Sequence, residues 1–376
     1  MEKSKRLFKV LLGLFILLSL VLGCSKKQSV SWSPGIPLAK ESIIIGITHT
    51  DSAESGYSYA HDFGVREAQS AFGLSDNQII RKYNINDSDA IMVEAALREI
   101  IAAGANVIIA TSWGHMNVCE KLAEIYPNII FVNSSGYKRN ETNFSNYFGR
   151  IYQARYLSGI VAGMKTKTNK IGYIAAQNKL NSEVTGGLNA FAMGVESVNS
   201  GAKVYTVITN SWFDPSLERL STQRLIAAGC DVIAQHCDSP SPQIEAEHAG
   251  VYGIGYNSDM RKDAPDAVLT SVIWNWGVYY TSLIGSIIDG SFTTEPYYAG
   301  ITEGLVGLSP FHPELVSPEM VKAVSEARER IIEGFNVFEG LMQTNEGEMV
   351  GREGESLADA EITGQINWYY HNITEL

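Results

Sequence analysis

Apolar residues along this chain come in two alternating textures. Short unbroken apolar runs such as "IIIGI" at 43–47 suit parallel strands covered on both faces. Longer stretches with apolar positions three and four apart suit amphipathic helices. In the first half the alternation predicts strand 43–47, helix 58–72, strand 79–85, helix 90–103, strand 106–110, helix 115–125 and strand 129–133. In the second half it predicts strand 170–175, helix 183–198, strand 203–207, helix 215–228, strand 231–235, helix 241–248 and strand 252–255.

The two series share a phrase. "IIAAGANVIIATSWG" at 100–114 is nearly repeated as "LIAAGCDVIAQHCDS" at 225–239. In each, a helix ends at Ala-Ala-Gly, where Gly104 or Gly229 supplies a left-handed stop, and a strand begins at once. Two strand–helix series of matching order predict an α/β protein of two doubly wound, parallel-sheet lobes joined by a hinge. Ligands of such sheets bind beyond the carboxyl ends of the strands. The candidates there are "TSWG", with Trp113, and "HCDS", with Asp238. The copies diverge at this point, as expected where two lobes touch different sides of one ligand.

The N-terminus alters the picture. Lys3, Lys5 and Arg6 precede the apolar run "VLLGLFILLSLVLG", which is short for a membrane span and leads into Cys24. "VLGC" resembles the lipobox of bacterial lipoproteins, although Leu22 stands where a smaller residue is usual. The expectation is a signal peptide over 1–23, lipidation at Cys24, and a polar tether over 24–41 that holds the protein on the outer side of the cell membrane. Removing Glu2 and four bases with the leader moves the formal charge from −12 to −15. So acidic a chain, without basic runs, excludes nucleic acid as the partner. Cys119, Cys230 and Cys237 match no zinc spacing and are expected as buried free thiols.

The stretches "NYFGRIYQARYLSGIVAGM", "NSWFDPSLE", "QHCDSPSP", "GYNSDM" and "SVIWNWGVYY" are similar to the basic membrane protein family. That family consists of lipoprotein receptors of type I periplasmic-binding fold, several of which serve purine nucleoside or nucleobase uptake. The resemblance covers roughly residues 42–370 and implies chain crossings between lobes. One lobe is expected over 42–150 plus 268–316, the other over 151–267 plus 317–376. It also implies an ABC importer's permease and ATPase as partners, a monomeric receptor, and no cofactor.

In nucleoside-binding members two aromatic rings sandwich the purine, and acids with a lysine hold the ribose. Tyr57, in "HTDSAESGYSYAHD" with Ser52, matches the first ring, and Trp212 is chosen over Phe213 for the second. Three positions depart from the pattern. Asn257 replaces a sugar-binding acid, Trp274 a lysine, and Asn133 an acid closing a first-lobe strand. The implied preference shifts from nucleoside to free base, with Asp238 accepting from a ring N–H or amine. Asp214, before Pro215, reads as a helix cap, and Asp259 equally as a turn residue or a ligand contact. Trp274 and Trp276 read as two positions apart on one helix, so that only one faces the cleft. His61 and Asp62 are expected to be exposed or packed at the hinge.

No nucleophile elbow, P-loop, H-E-x-x-H or dinucleotide fingerprint occurs. A nucleoside hydrolase would have to use Asp51 and Asp238 as a shared acid pair. The same two-lobed organisation also serves sensors that pass a bound purine or sugar signal to a membrane receptor.

Overall fold

The structure is a computed structural model describing residues 32–376. The expected leader and Cys24 lie outside the described residues. Helices are labelled α1 Gly56–Phe72, α2 Ala90–Ala102, α3 Met116–Ile125, α4 Ile151–Lys165, α5 Ser182–Val198, α6 Pro215–Ala227, α7 Ser241–His248, α8 Trp276–Asp289, α9 Pro318–Ile332 and α10 Asp359–Gly364. The first sheet contains β1 Ile45–Thr48, β2 Ile79–Lys82, β3 Val107–Ala110, β4 Ile130–Ser134, β5 Phe144–Gly149 and β11 Tyr297–Ala299, in the order β11-β5-β4-β3-β1-β2. The second contains β6 Lys170–Ala175, β7 Lys203–Ile208, β8 Val232–His236, β9 Tyr252–Asn257, β10 Val268–Trp274, β12 Val306–Leu308 and β15 Ile373–Glu375, in the order β12-β10-β9-β8-β6-β7-β15. A hairpin of β13 Glu339–Gln343 and β14 Met349–Ser356 stands apart.

The repeated phrase has one structural meaning in both lobes. After α2, Ala105 N–H donates to Ile100 O, and after α6, Cys230 N–H donates to Leu225 O. Gly104 (φ 102°) and Gly229 (φ 93°) take the left-handed turn between helix and strand. The next polar residue ties the lobe together. Asn106 donates to Ser42 O and accepts from Ile44 N–H, ahead of β1. Asp231 accepts from Thr166 and from the Lys167 and Thr168 N–H groups, ahead of β6.

The duplication reaches the hinge. β5 leaves the first sheet and feeds α4, which packs on α5 in the second lobe. β10 leaves the second sheet and feeds α8, which packs on α1 in the first lobe. Each lobe therefore borrows a helix through the other's fifth strand. Both borrowed helices sit unusually close to their neighbours. A Cβ on Gly194 would lie 2.0 Å from Tyr156 O, and one on Gly64 would lie 2.7 Å from Gly277 N.

Two expected boundaries move. Val268–Trp274 pairs with β9 in the second sheet, so the return to the first lobe comes at Asn275 rather than at 268. β12 pairs with β10, so the chain is back in the second lobe by residue 306, before 317. Both strands are short apolar runs whose lobe is decided by pairing, which no local pattern reports. The expected tether also shortens. Leu38 N–H donates to Ile287 O on α8, and Trp32 and Leu38 pack against the core, so the chain is docked before residue 41. Cys119, Cys230 and Cys237 are buried free thiols.

The close helix approach generates a paired test. Gly194→Ala drives a methyl into backbone and should destabilise by about 1–3 kcal/mol. Gly186→Ala on the same helix meets nothing nearer than 3.7 Å. Its helix propensity should raise stability by about 0.5–1 kcal/mol. Thermal melts of the two variants should move in opposite directions; a fall for both would show that α5 does not tolerate side chains generally.

Candidate functional site

The carboxyl ends of both sheets face one another, and rings line the space between them. On the first lobe, Tyr57 follows the β1 loop, and its Oη bonds Ser134 Oγ at the end of β4 (3.1 Å). Its ring meets His61 edge-on at 4.5 Å. His61 is fully buried, its Nδ1 2.5 Å from Tyr280 Oη, and its ring stacks on Trp276 at 4.5 Å. Trp276 in turn stacks on Trp274 at 4.4 Å, 11° from parallel. Trp274 Nε1–H donates to Tyr256 Oη at the second lobe's β9 (3.1 Å). From there His236 packs edge-on against Tyr256 at 4.9 Å, and Trp212 edge-on against His236 at 5.8 Å.

This overturns the reading of the tryptophan pair. Trp274 closes a strand and Trp276 opens a helix, with Asn275 between them. The break in backbone direction lets both rings stack face to face instead of diverging around a helix. His61 is a member of the same stack and is not exposed. Asp62, one residue on, is also buried. Burial opposes its ionisation, yet hydrogen bonds from His49 and Tyr83 and the Arg81 guanidinium hold its carboxyl well below the usual range.

Asp238 and Asn257 form the polar part of the second wall. Asn257 Nδ2–H donates to Asp238 Oδ1 at 2.7 Å, and both residues are buried. Asn257 holds φ at 65°, a left-handed conformation that asparagine tolerates better than most residues. Burial pushes the Asp238 carboxyl well above the ordinary range despite the Asn257 bond, with Asp51, Glu218 and Glu183 adding repulsion. Burial likewise raises Asp51, which faces it from the first lobe. The lobes touch here: Gly56 N–H donates to Asp238 O at 2.9 Å. Asp238 caps no helix; Ser239 Oγ accepts from Ser241 N–H instead.

The remaining candidates separate from this group. Trp113 is 58% exposed and stacks on none of the rings. Ser52 is half-buried and donates to Glu54. Asn133 is buried, and its Nδ2 braces Ala110 O and Ser112 O; its Oδ1 has no partner. Asp214 caps α6 through Leu217 N–H, and Asp259 binds Arg261 at a turn.

Glu183, in the first turn of α5, carries no sequence signal for a site. It lines a small, partly open pocket of about 20 Å³ with Phe148, Tyr298 and Gly187. Arg155, fully buried on α4, lies with its guanidinium 4.1 Å from the Tyr256 ring centroid, and its Nε and Nη2 lack partners. A larger open groove of about 410 Å³ lies beside the hinge. Its charges are spent on one another and on backbone: Arg150 on Asp359, Glu303 on Gly300 N–H. The converging rings and buried carboxyls mark the inter-lobe cleft as the site instead. No group of side chains suited to a metal occurs among the described residues.

An aromatic cleft between two crossed lobes agrees with the comparison to known proteins, in which residues 43–339 match the family described as Bmp, ABC transporter substrate-binding protein PnrA-like. The chain belongs to the Bmp family. It is 32% identical over 344 residues to a purine-binding protein of Brucella abortus, covering 91% of this chain and 95% of that one. It is also 32% identical to a putative ABC transporter glucose-binding protein of Haloferax volcanii, covering 81% and 79%. An ABC transporter solute-binding protein of Conexibacter woesei superposes with a TM-score of 0.65 at 18% identity, covering 78% of this chain and 97% of that one. The Bmp chain thus has the type I periplasmic-binding fold of ABC substrate-binding proteins. Among the described residues no helix is long and apolar enough to cross a membrane.

In this Bmp protein the Asn257–Asp238 pair yields a pH test. Asn257→Asp places two carboxyls where one proton must be shared. A carboxyl whose pKa is raised by folding stabilises the folded state fully only below its unfolded pKa. That stability is lost as pH rises towards the folded pKa, by about 1.4 kcal/mol for each step of one in pH. The melting temperature of Asn257→Asp, relative to the parent, should therefore fall more at pH 8 than at pH 5. An equal deficit at both would mean the two side chains do not share a buried environment.

Proposed function

We propose that this protein is the lipid-anchored, extracytoplasmic receptor of an ABC importer, and that its lobes close on a purine, with free base preferred over nucleoside. The observation that carries the base preference is Trp274. It is 4% exposed, stacked on Trp276 and bonded through its indole N–H to Tyr256, at the position where the family resemblance implies a ribose-binding lysine. A side chain of this bulk at that position would leave a sugar little room. Asn257, in place of the acid, directs its amide at Asp238.

A flat heteroaromatic ring suits such walls, since stacking contributes about 1–3 kcal/mol per base. A buried carboxyl such as Asp238 supplies orientation; a hydrogen bond between neutral groups contributes about 0.5–1.5 kcal/mol net. The 20 Å³ beside Glu183 holds about one water, far less than a purine needs. A purine seated there would need the lobes to part, as in a hinged binding protein. The Haloferax relative's description as a putative glucose-binding protein supports a second reading, a sugar ligand, since ring-lined clefts also pack against sugar faces.

Calorimetry with adenine, adenosine and glucose on the mature protein decides among these. Adenine should bind more tightly than adenosine, and glucose not measurably. Trp212→Ala should weaken adenine by about 1–3 kcal/mol. Tighter adenosine binding by tenfold or more would show that Trp274 leaves the sugar its room, and glucose binding alone would install the sugar reading. Separately, Cys24→Ala should move the protein out of the membrane fraction; retention after a carbonate wash would remove the lipid anchor.

A further inference from the structure

The second lobe's wall holds a polar group that neither the sequence pattern nor the stacked rings account for. His236, fully buried at the end of β8, spends Nδ1 on Tyr173 Oη (3.1 Å) and leaves Nε2 without a hydrogen-bond partner. That atom lies 3.8 Å from Glu183 Oε1, beyond hydrogen-bond length. Glu183 itself makes no side-chain hydrogen bond among the described residues. A quarter of its side-chain surface is accessible, and it faces a small, partly open pocket shared with Phe148 and Tyr298. Beneath them Arg155 leaves Nε and Nη2 unpartnered. Buried polar groups without partners cost about 1–3 kcal/mol each, so their accumulation at one wall points to a ligand that satisfies them.

We propose that Glu183 reads the hydrogen-bonding edge of the base, pairing both carboxyl oxygens with an edge that carries a donor beside an acceptor, as an aminopurine's does. The inference rests on the purine reading above and names which residue selects among purines. A carboxylate offers only acceptors, whereas a carboxylic acid offers one O–H donor and one acceptor side by side. The surroundings favour the acid. Burial raises the Glu183 carboxyl to about 7, against the opposing pull of Arg155. The other groups facing it are His236 on β8, which burial keeps neutral, Asp238 beyond β8, and the tyrosines Tyr57, Tyr152, Tyr173, Tyr256 and Tyr298, whose hydroxyls are raised. From α10, Ile362 and Thr363 close the cavity, while Asp359 is engaged by Arg150. Only Arg155 is a cation among them.

The sign follows from the protonated form being the binding form. Adenine affinity should be level below neutrality and decline above it, by about tenfold between pH 6 and pH 8 for a group titrating near 7. Calorimetry with adenine on the whole mature protein reads this. Glutamine presents the same donor and acceptor at every pH, so Glu183→Gln should bind within about threefold of the parent at pH 6 and lose the decline. Glu183→Ala should lose tenfold or more at both pH values, with its melting temperature confirming the fold. Asp238→Asn should keep the slope. A flat parent profile, or a slope that survives Glu183→Gln and vanishes in Asp238→Asn, overturns the assignment while leaving the purine reading intact. Absence of adenine binding by the parent at any pH overturns both, the purine reading first.

Discussion

The stack of His61, Trp276 and Trp274 fixes where the lobes meet. It joins a first-lobe helix to the junction where a second-lobe strand becomes a first-lobe helix. The rings lie 4.4–4.5 Å apart and within 12° of parallel, and Trp274 carries the connection onward through Tyr256. Any rotation of the lobes must turn about this column or break it. The glycine-close pairs α1–α8 and α4–α5 flank it, anchoring each borrowed helix in its host lobe. The hinge is therefore stiff at its centre. At the cleft mouth the lobes touch through the backbone hydrogen bond from Gly56 to Asp238.

The cleft's electrostatics follow from this closure. Asp51 comes from one lobe and Asp238 and Glu183 from the other, and each is raised chiefly by burial. In water three carboxylates would repel weakly; burial in the protein makes each hold its proton more tightly than it would there. Arg155 does not neutralise them, because its one hydrogen bond goes to Gln235 O and its face lies on Tyr256. A neutral ligand with mixed donors and acceptors fits such a wall better than an anion does.

Much of this was legible in the chain. The Ala-Ala-Gly repeat announced two equivalent lobes, and the same helix-to-strand turn recurs at Gly104 and Gly229 because each needs a left-handed residue. Asp214 before Pro215 announced a helix start and is one. Other features have no local signal. β10 looks like any apolar strand, and only its pairing with β9 assigns it to the second lobe. Trp113 sits at the end of a repeated strand, yet its following turn sends the ring outward. Glu183 reads locally as an acid complementing a helix N-terminus, a common surface arrangement. Its burial comes from Phe148 and Tyr298, 35 and 115 positions away in sequence, and no local pattern reports that.

Asn257 shows how recognition and closure share one element. Its left-handed backbone holds Nδ2 against Asp238 Oδ1, and the Asp238 carbonyl accepts from Gly56 across the cleft. A Cβ at residue 56 would stand 3.0 Å from that carbonyl and 3.3 Å from Asn257, so the approach depends on glycine. A ligand bonded to the Asp238 side chain, as proposed above, would stiffen the loop whose backbone the first lobe grips. Differential affinity for the closed state is what a ligand needs in order to shift a hinge, and a ligand held as proposed would gain it at this contact. The strain of a left-handed asparagine, of order 1–3 kcal/mol, persists because the closed surroundings over-determine it. A hinge opening of the proposed kind would break the Gly56 contact and free that loop, coupling ligand release to the motion.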